Sequence, residues 1–596
     1  MNQPSMATLT LPRRHAVALL LAAWALLFAV RLAAPWNLMD QDQERPTAYI
    51  MDVLVNGEWI VQRDQTGAVT SKPPLYTWIS ALCSLPAGRL TRFTLYLPCA
   101  LSVLGCMLLI MRVGGRYFGS VCGFFGAMIF LLSLPGLKML ALARTDPLFV
   151  FTVFLAVVAA WRCWNDGASW VWFWLAATAA TMTKGPLGIV LGASGLLATV
   201  WDRRGRGDEA SVCWRPWQHA AGIALLLTIA GGWFALAYWR LGSALVDKMI
   251  GDELVRQAVA GDRGESPLEG IPLPFAYFLS RFVPWSFLAC LAAWRVWRQP
   301  SADPAERRFE RFLVCQVAAG ILLFSFAGHK RPDHLFPLLP AAALLAGREL
   351  ARLRWLAAPG RCLAVAGAAV AMALAFATPY YFLGVGRTKY AIRTAGMAVL
   401  AGEIRRAAPD AEITFFNSPY ALQYFLGTMR QRATKDQAVR LLTTGFDPVT
   451  SRPTGDSPHV YVATRDPESL REALGNAAPH IYSVLRWPAD GPAFAEVFSN
   501  KPRLEPAAHS EMMTGPWRIA MRKTHLVQSG PGRLVFRLAD GASPRDGRYT
   551  VTNDTTATLT VRLHPDLDAT PENQWAVAEL PPNASVTVGQ GGDEPR

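Results

Sequence analysis

Lysine is scarce in the first two thirds of this 596-residue chain, and its few positions are the first hint of chemistry. Before residue 385 there are only Lys72, Lys138, Lys184, Lys248 and Lys330. Three of them open or close short polar motifs. These are Ser71-Lys72-Pro73-Pro74-Leu75-Tyr76-Thr77-Trp78, Thr183-Lys184-Gly185-Pro186, and Lys330-Arg331-Pro332-Asp333-His334-Leu335-Phe336-Pro337. Acidic residues gather in Asp40-Gln41-Asp42-Gln43-Glu44-Arg45 and in Arg144-Thr145-Asp146-Pro147. Ammonium and guanidinium groups bind phosphate, and a carboxylate can orient an acceptor or take its proton. Plainer readings stand beside these. Asp40, Asp42 and Glu44 also read as a solvated loop face, and Asp146 before Pro147 as a helix cap. Asp40-Gln41-Asp42 matches a D-x-D metal pattern, which is too short to decide anything. Spacing alone does not establish an enzyme.

The elements that must position these groups are membrane helices. Hydrophobic residues make up 52% of the chain and charged residues 17%, and the apolar residues fall in long blocks up to about residue 385. Blocks centre near residues 25, 102, 128, 155, 175, 193, 229, 285, 320, 342 and 373, which predicts about eleven spans of ~20 residues each. The first follows Arg13, Arg14 and His15, and Arg31 stands where a cleavage site would need small residues, so it reads as an uncleaved helix. Arginine sets the orientation. With the N-terminus inside, the inner loops hold Arg112, Arg116, Arg203, Arg204, Arg206, Arg215, Arg295, Arg298 and the later arginines up to Arg361. The net charge of +14 is thus accounted for by topology rather than by nucleic acid. All five lysines then fall on the outer side, against the usual bias, where phosphate is the group that would need them. Trp36, Trp59 and Trp78 fit an interfacial aromatic belt as well as a site.

Beyond residue 385 the pattern changes. Tyr390–Arg406 reads as helix and Glu412–Phe416 and His459–Thr464 as strands, which predicts a small α/β domain over 386–505. Runs such as Leu534–Leu538, Tyr549–Thr552 and Thr558–Leu563 predict a β-rich module over 506–596. The nine cysteines all lie at or before Cys362, so the exported part is not a disulfide scaffold. No P-loop, no strand–G-x-G-x-x-G–helix unit and no zinc-spaced His/Cys cluster is present.

The order of the motifs resembles the GT-C membrane glycosyltransferases. The likeness is to the protein O-mannosyltransferase superfamily and, within it, to the bacterial aminoarabinose transferases that modify lipid A. It rests on the acidic first loop, Asn56-Gly57-Glu58-Trp59, the Lys72 motif, Arg144–Pro147, Thr183–Pro186, Pro284-Trp285-Ser286 and the Lys330 motif, and covers about residues 15–385. The fold it implies is mainly α: a polytopic helical GT-C domain over 1–385, followed by the two periplasmic regions. It implies an inner-membrane enzyme with its N-terminus cytoplasmic. The donor would be a sugar on polyprenyl (undecaprenyl) phosphate, and the acceptor lipid A or another envelope molecule.

By the same resemblance Asp42 and Asp146 are the acidic catalytic positions. Lys72, Lys330, Arg331, Arg45 and Arg144 bind the donor phosphate, with Asp40, Glu44, Lys184, Glu265 and His334 in support. The chain departs from its relatives at Ser71, where many have a metal-holding Glu, and at Glu265-Ser266-Pro267, where relatives carry a His. A zinc site is therefore not carried across, and metal dependence stays open. Two other classes compete. A protein O-mannosyltransferase-like enzyme would act on protein hydroxyls. A lipid-linked sugar transporter would place ionisable groups at mid-span in broken helices rather than at one face.

Overall fold

The computed structural model describes residues 11–39, 41–203, 215–249, 251, 270–408, 411–447, 459–489 and 492–502. Beyond these it describes 517–521, 524–529, 534–538, 549–553, 558–564 and 576–588. Asp40 and Glu265 lie outside these residues, as does the side chain of Asp42. The chain divides into two units, Met1–Ile392 and Arg393–Arg596.

The first unit is helical. Its main elements are α1 (Arg13–Ala33), α2 (Gln41–Asn56), α3 (Leu75–Ser84), α4 (Arg92–Tyr117), α5 (Ser120–Leu132), α6 (Leu134–Leu140), α7 (Asp146–Asn165) and α8 (Val171–Lys184). They continue as α9 (Leu187–Ala193), α10 (Pro216–Leu241), α11 (Leu273–Arg281), α12 (Trp285–Arg298), α13 (Pro304–Ser325), α14 (Leu339–Ala351) and α15 (Pro359–Pro379). Among the described residues five helices are long and apolar enough to cross a membrane, or up to seven if each of two bent pairs is one span. The bent pairs are α5 with α6, at 69°, and α11 with α12, at 116°. The chain is a multi-pass helical membrane protein. The blocks near 175, 193 and 342 form helices of only 14, 7 and 13 residues, and α13 begins with charged turns (Glu306, Arg307, Arg308, Glu310, Arg311). They fall short of a full apolar span for those reasons.

Lipid offers no hydrophobic drive between helices, so close approach of small residues must hold them together. At the centre α5 is buried along almost its whole length between α4 and α14. Gly123 and Gly126 of α5 make this contact. A Cβ on Gly123 would meet the Met111 carbonyl oxygen at 2.4 Å, and one on Gly347 of α14 would meet the Gly126 nitrogen at 2.7 Å. The C-terminal ends of α12 and α14 and the N-terminal part of α13 are joined by a largely buried ionic network. Arg348 pairs with Glu310 and, at 2.7 Å, with Glu349, which also pairs with Arg295.

Between α1 and α3 the long first loop is a folded structure. Arg31, only 4% exposed, donates to Asn37 Oδ1 (2.7 Å) and the Pro35 carbonyl (3.3 Å), and lies against the rings of Tyr96 and Tyr381. Asp52 Oδ2 accepts from the Arg63 N–H at 2.7 Å, and the Trp78 and Trp233 indoles donate to the carbonyls of Trp59 and Ile60. Val61 packs with Met182, Trp233, Ala237 and Leu245, fixing the loop to α8 and α10.

The second unit holds α16 (Lys389–Ala407, shared with the first), α17 (Tyr420–Leu426), α18 (Lys435–Leu442) and α19 (Pro467–Leu474). Strands β1 (Ile413–Phe415), β2 (Tyr461–Thr464), β3 (Tyr482–Trp487) and β4 (Ala495–Ser499) form a sheet in the order β1-β2-β4-β3, with β1 and β2 parallel. Ala438, Leu442, Val462, Leu470, Leu474 and Phe498 form a core against it. The remaining strands are β5 (Trp517–Met521), β6 (Thr524–Ser529), β7 (Leu534–Leu538), β8 (Tyr549–Asn553), β9 (Leu559–His564), β10 (Ala576–Leu580) and β11 (Ser585–Val588). They pair antiparallel in two sheets, β10-β9-β6-β5 and β11-β8-β7.

Candidate active site

Three of the motifs converge where helices of the first unit begin or end. Arg144-Thr145-Asp146-Pro147 starts α7, with Thr145 as the capping residue and Asp146 as the first helical one. No side chain caps the helix. The Asp146 carboxylate is turned instead to two cations. Lys184 Nζ contacts its Oδ1, and Arg144 Nε lies 2.9 Å from Oδ2. Lys184 can be there because it is the last residue of α8. Gly185 ends that helix at φ +94°, a conformation glycine adopts without strain, and Pro186 follows.

Asp333 is the second carboxylate. It sits in the 3-10 segment Pro332–Leu338, and its Oδ2 accepts from Arg144 Nη1 at 2.8 Å while Lys138 Nζ lies 3.2 Å from Oδ1. Arg144 therefore bridges the two carboxylates. Burial alone would raise the Asp333 pKa, but Lys138 and Arg144 outweigh it and hold the carboxyl below its usual range. His334 follows directly, its ring tilted against those of Phe324 and His329. Burial, with Lys184 and His329 adding to it, lowers its pKa to about 3, so the ring is neutral at physiological pH. Arg331 also acts on it electrostatically.

Lys72 approaches Asp146 closely enough to interact with it electrostatically. Its motif is pinned from behind. Tyr76 is buried, and Cys99 Sγ lies 3.8 Å from the Tyr76 hydroxyl and 3.4 Å from the Arg144 carbonyl. One cysteine of α4 thus ties the Lys72 motif to the Arg144 motif. The first loop is tied in by Gln43, 1% exposed, whose Oε1 accepts from Tyr96 O–H (3.3 Å) and Ala143 N–H (3.4 Å). That places the backbone of Asp42 at the start of α2, one residue from a side chain that touches the segment leading into Arg144.

The expected site residues do not all meet. Lys72, Arg144, Asp146, Lys184, Arg331 and His334 interact within one cluster. Lys330 runs past Gly270, beside that cluster in sequence. Arg45, whose side chain is 71% exposed, faces Asp64 at 3.9 Å, and Glu44 accepts from Gln65 at 3.2 Å. Lys138 and Asp333 belong to the cluster without having been expected as site residues. The signal existed, since both stand in the polar pattern: Lys138 is one of the five lysines expected on the outer side, and Asp333 lies inside the Lys330 motif.

Among the described residues no group of three or more His, Cys, Asp or Glu side chains could hold a metal ion. The two carboxylates that do come together are each occupied by cations. The described residues thus do not fit a divalent ion.

A bundle of membrane helices with a polar cluster at their mouths, leading into an α/β unit, has the fold of the GT-C membrane glycosyltransferases. ArnT from Cupriavidus metallidurans bound to undecaprenyl phosphate superimposes with a TM-score of 0.62 at 16% identity, covering 82% of this chain and 98% of that one. Its apo state gives 0.62 at 18% identity over 81% and 98%. Residues 71–233 match the family described as dolichyl-phosphate-mannose-protein mannosyltransferase. The sequence is also similar to undecaprenyl phosphate-alpha-4-amino-4-deoxy-L-arabinose arabinosyl transferase 2 of Pseudomonas fluorescens, 26% identical over 363 residues. The arabinosyl transferase of Pseudomonas aeruginosa is 27% identical over 367 residues. Each match covers 57% of this chain and 61% of the relative, so the similarity spans about three fifths of the curated relatives' length.

Proposed function

We propose that the chain is a glycosyltransferase of the inner membrane that moves a sugar from undecaprenyl phosphate or a similar polyprenyl phosphate to an acceptor at the periplasmic face. Lipid A or a related glycolipid is the acceptor we favour. The carrying observation is the bridged cluster of Lys72, Lys138, Arg144 and Lys184 around Asp146 and Asp333, on a fold shared with a protein that binds undecaprenyl phosphate. The arabinosyl transferase relatives support the donor class.

In the reaction an acceptor oxygen attacks the anomeric carbon as the bond to the carrier phosphate breaks. That bond's electron pair leaves with the phosphate. Cations held in place beforehand bind the growing negative charge more tightly than the ground state, which lowers the barrier. Lys72 and Arg144 supply that charge, with Lys330 and Arg331 as further candidates. Asp146 is engaged by Lys184 and Arg144, so its part is to hold these cations in position rather than to take a proton. Asp42 orients the acceptor, and takes its proton where the acceptor is a hydroxyl. A phosphate acceptor needs no base. Direct displacement inverts the anomeric centre.

A protein acceptor is the second reading, favoured by the family matched over residues 71–233. Mass spectrometry of lipid A from cells with and without the gene separates the two. A pentose- or hexosamine-sized loss in the deletion, restored by wild type but not by Asp42→Asn, supports the lipid A reading. Unchanged lipid A in cells that express the protein moves the acceptor to a protein or polysaccharide.

A further inference from the structure

The two carboxylates of the cluster are held differently. The Asp146 side chain is 4% exposed and that of its partner Lys184 20%, whereas Asp333 is 19% exposed and Lys138 47%. Arg144, at 12%, stands between them and bonds both. The inner pair is enclosed, and the outer pair opens to solvent, where an ion pair is weak and exchanges readily. The supports differ as well. Asp146 and Lys184 are the first and last residues of helices of 20 and 14 residues. Lys138 lies on the seven-residue α6, set off from α5 by the 69° bend, and Asp333 lies in a seven-residue 3-10 segment. Lys138 contacts Asp333 at 3.2 and 3.4 Å, longer than the 2.8 Å between Arg144 and the same carboxylate. Its ammonium also lies 5.9 Å from the Phe336 ring centre, a second attraction that keeps it near the cluster when the carboxylate lets go.

We propose that Asp333 is an exchangeable counter-ion. It occupies Lys138 and Arg144 while the site is empty, and yields Lys138 to the carrier phosphate when the donor enters and until the product phosphate leaves. The inference rests on the reading of this cluster as a phosphate site. The donor's phosphodiester carries one charge, as the carboxylate does, and the monoester formed as the sugar leaves carries about 1.5 to 2 and a third terminal oxygen, so the phosphate competes increasingly well for a half-exposed ammonium as transfer proceeds. The carboxylate then returns to eject it. Asp146 takes no part in the exchange.

The test uses the full-length protein in nanodiscs with undecaprenyl phosphate as the probe, measuring its Kd beside steady-state turnover. Asp333→Asn removes the competitor, and is expected to bind undecaprenyl phosphate about tenfold more tightly while kcat falls, because product leaves more slowly. Lys138→Gln is expected to bind it about tenfold more weakly, and Asp333→Asn is expected to gain nothing in that background. Unchanged or weaker binding by a folded Asp333→Asn variant overturns the exchange. If that variant does not fold, Lys138→Gln, which alters a half-exposed side chain, carries the test alone, and unchanged binding overturns the exchange. Failure of the wild-type protein to bind undecaprenyl phosphate overturns the phosphate-site reading itself.

Discussion

Removing the Lys184 ammonium would leave Asp146, 3% exposed, with Arg144 beside it and Lys72 acting electrostatically. Breaking one side of a buried ion pair typically costs about 3–5 kcal/mol, because the remaining charge is stranded. Lys184→Ala is therefore expected to lower the thermal unfolding midpoint in detergent by several degrees and to abolish transfer, and Lys184→Arg to recover most of the stability. An unchanged midpoint in the alanine variant would show that Arg144 and Lys72 suffice to neutralise Asp146. Two further substitutions belong to this scale. Asp42→Asn and Lys72→Ala are each expected to abolish transfer without preventing membrane insertion, and wild-type activity in either removes that residue from the mechanism. The residues that cluster here were legible from motifs alone, because lysines stand out where the sequence has so few. Their partners were not. The Arg144–Asp333 and Lys184–Asp146 bonds join residues 189 and 38 positions apart, and no local pattern encodes such pairings. The capping role that Asp146-Pro147 suggests is excluded because two cations outbid the helix N–H groups for the carboxylate.

At the scale of elements the 3-10 segment Pro332–Leu338 sets a pH dependence. His334 has its pKa lowered to about 3 by burial, against an ordinary value of 6.5. Between these values the unfolded chain binds a proton that the native one does not, so stability rises with pH across that window and levels off above it. Asp333, held low, acts in the same direction at more acid pH: its contribution is present above the ordinary carboxylate pKa and is lost as pH falls through the native value. The unfolding midpoint in detergent is expected to drop between pH 6.5 and 4.5, as the stability falls by up to about 1.4 kcal/mol per pH unit for one proton. His334→Gln should flatten that slope, and an equal slope in the variant would assign the dependence to other groups. Helix packing makes a separate prediction. Gly347→Leu is expected to prevent assembly of α5 against α14, whereas Gly367→Leu, with nothing within 4 Å of its Cβ position, is expected to be tolerated. Comparative expression with limited proteolysis reads both. Apolar periodicity located most of these helices but not their lengths. Blocks as apolar as those near 175 and 342 end early, where a glycine or a charged pair (Gly185, Arg348-Glu349) interrupts them.

For the whole molecule the arginine distribution implies an orientation that the helices alone do not fix. An alkaline phosphatase fused after residue 390 is expected to be active, and one fused after residue 205 inactive. The opposite pattern would invert the topology and put the cation cluster on the cytoplasmic side. The division of the chain at Ile392 and Arg393 falls close to the change in sequence pattern near residue 385. In the second unit, strands such as Leu534–Leu538 and Tyr549–Asn553 follow the alternation that marks them. How such strands pair is a long-range choice that alternation does not specify: β6 joins β9 across the intervening β7 and β8.

Arg31 also has a consequence for how the molecule is made. Its guanidinium lies between Tyr96 of α4 and Tyr381, just past the end of α15, so one charge in the first helix is buried by the last. A ribosome delivers Arg31 and Tyr381 some 350 residues apart. Until the final span enters the bilayer, Arg31 lacks part of its enclosure and the first helix has not reached its mature neighbours. Synthesis of the last of these spans is thereby linked to enclosure of Arg31, and chains interrupted before Tyr381 present an unfinished, charge-exposing helix to the cell's quality-control proteases.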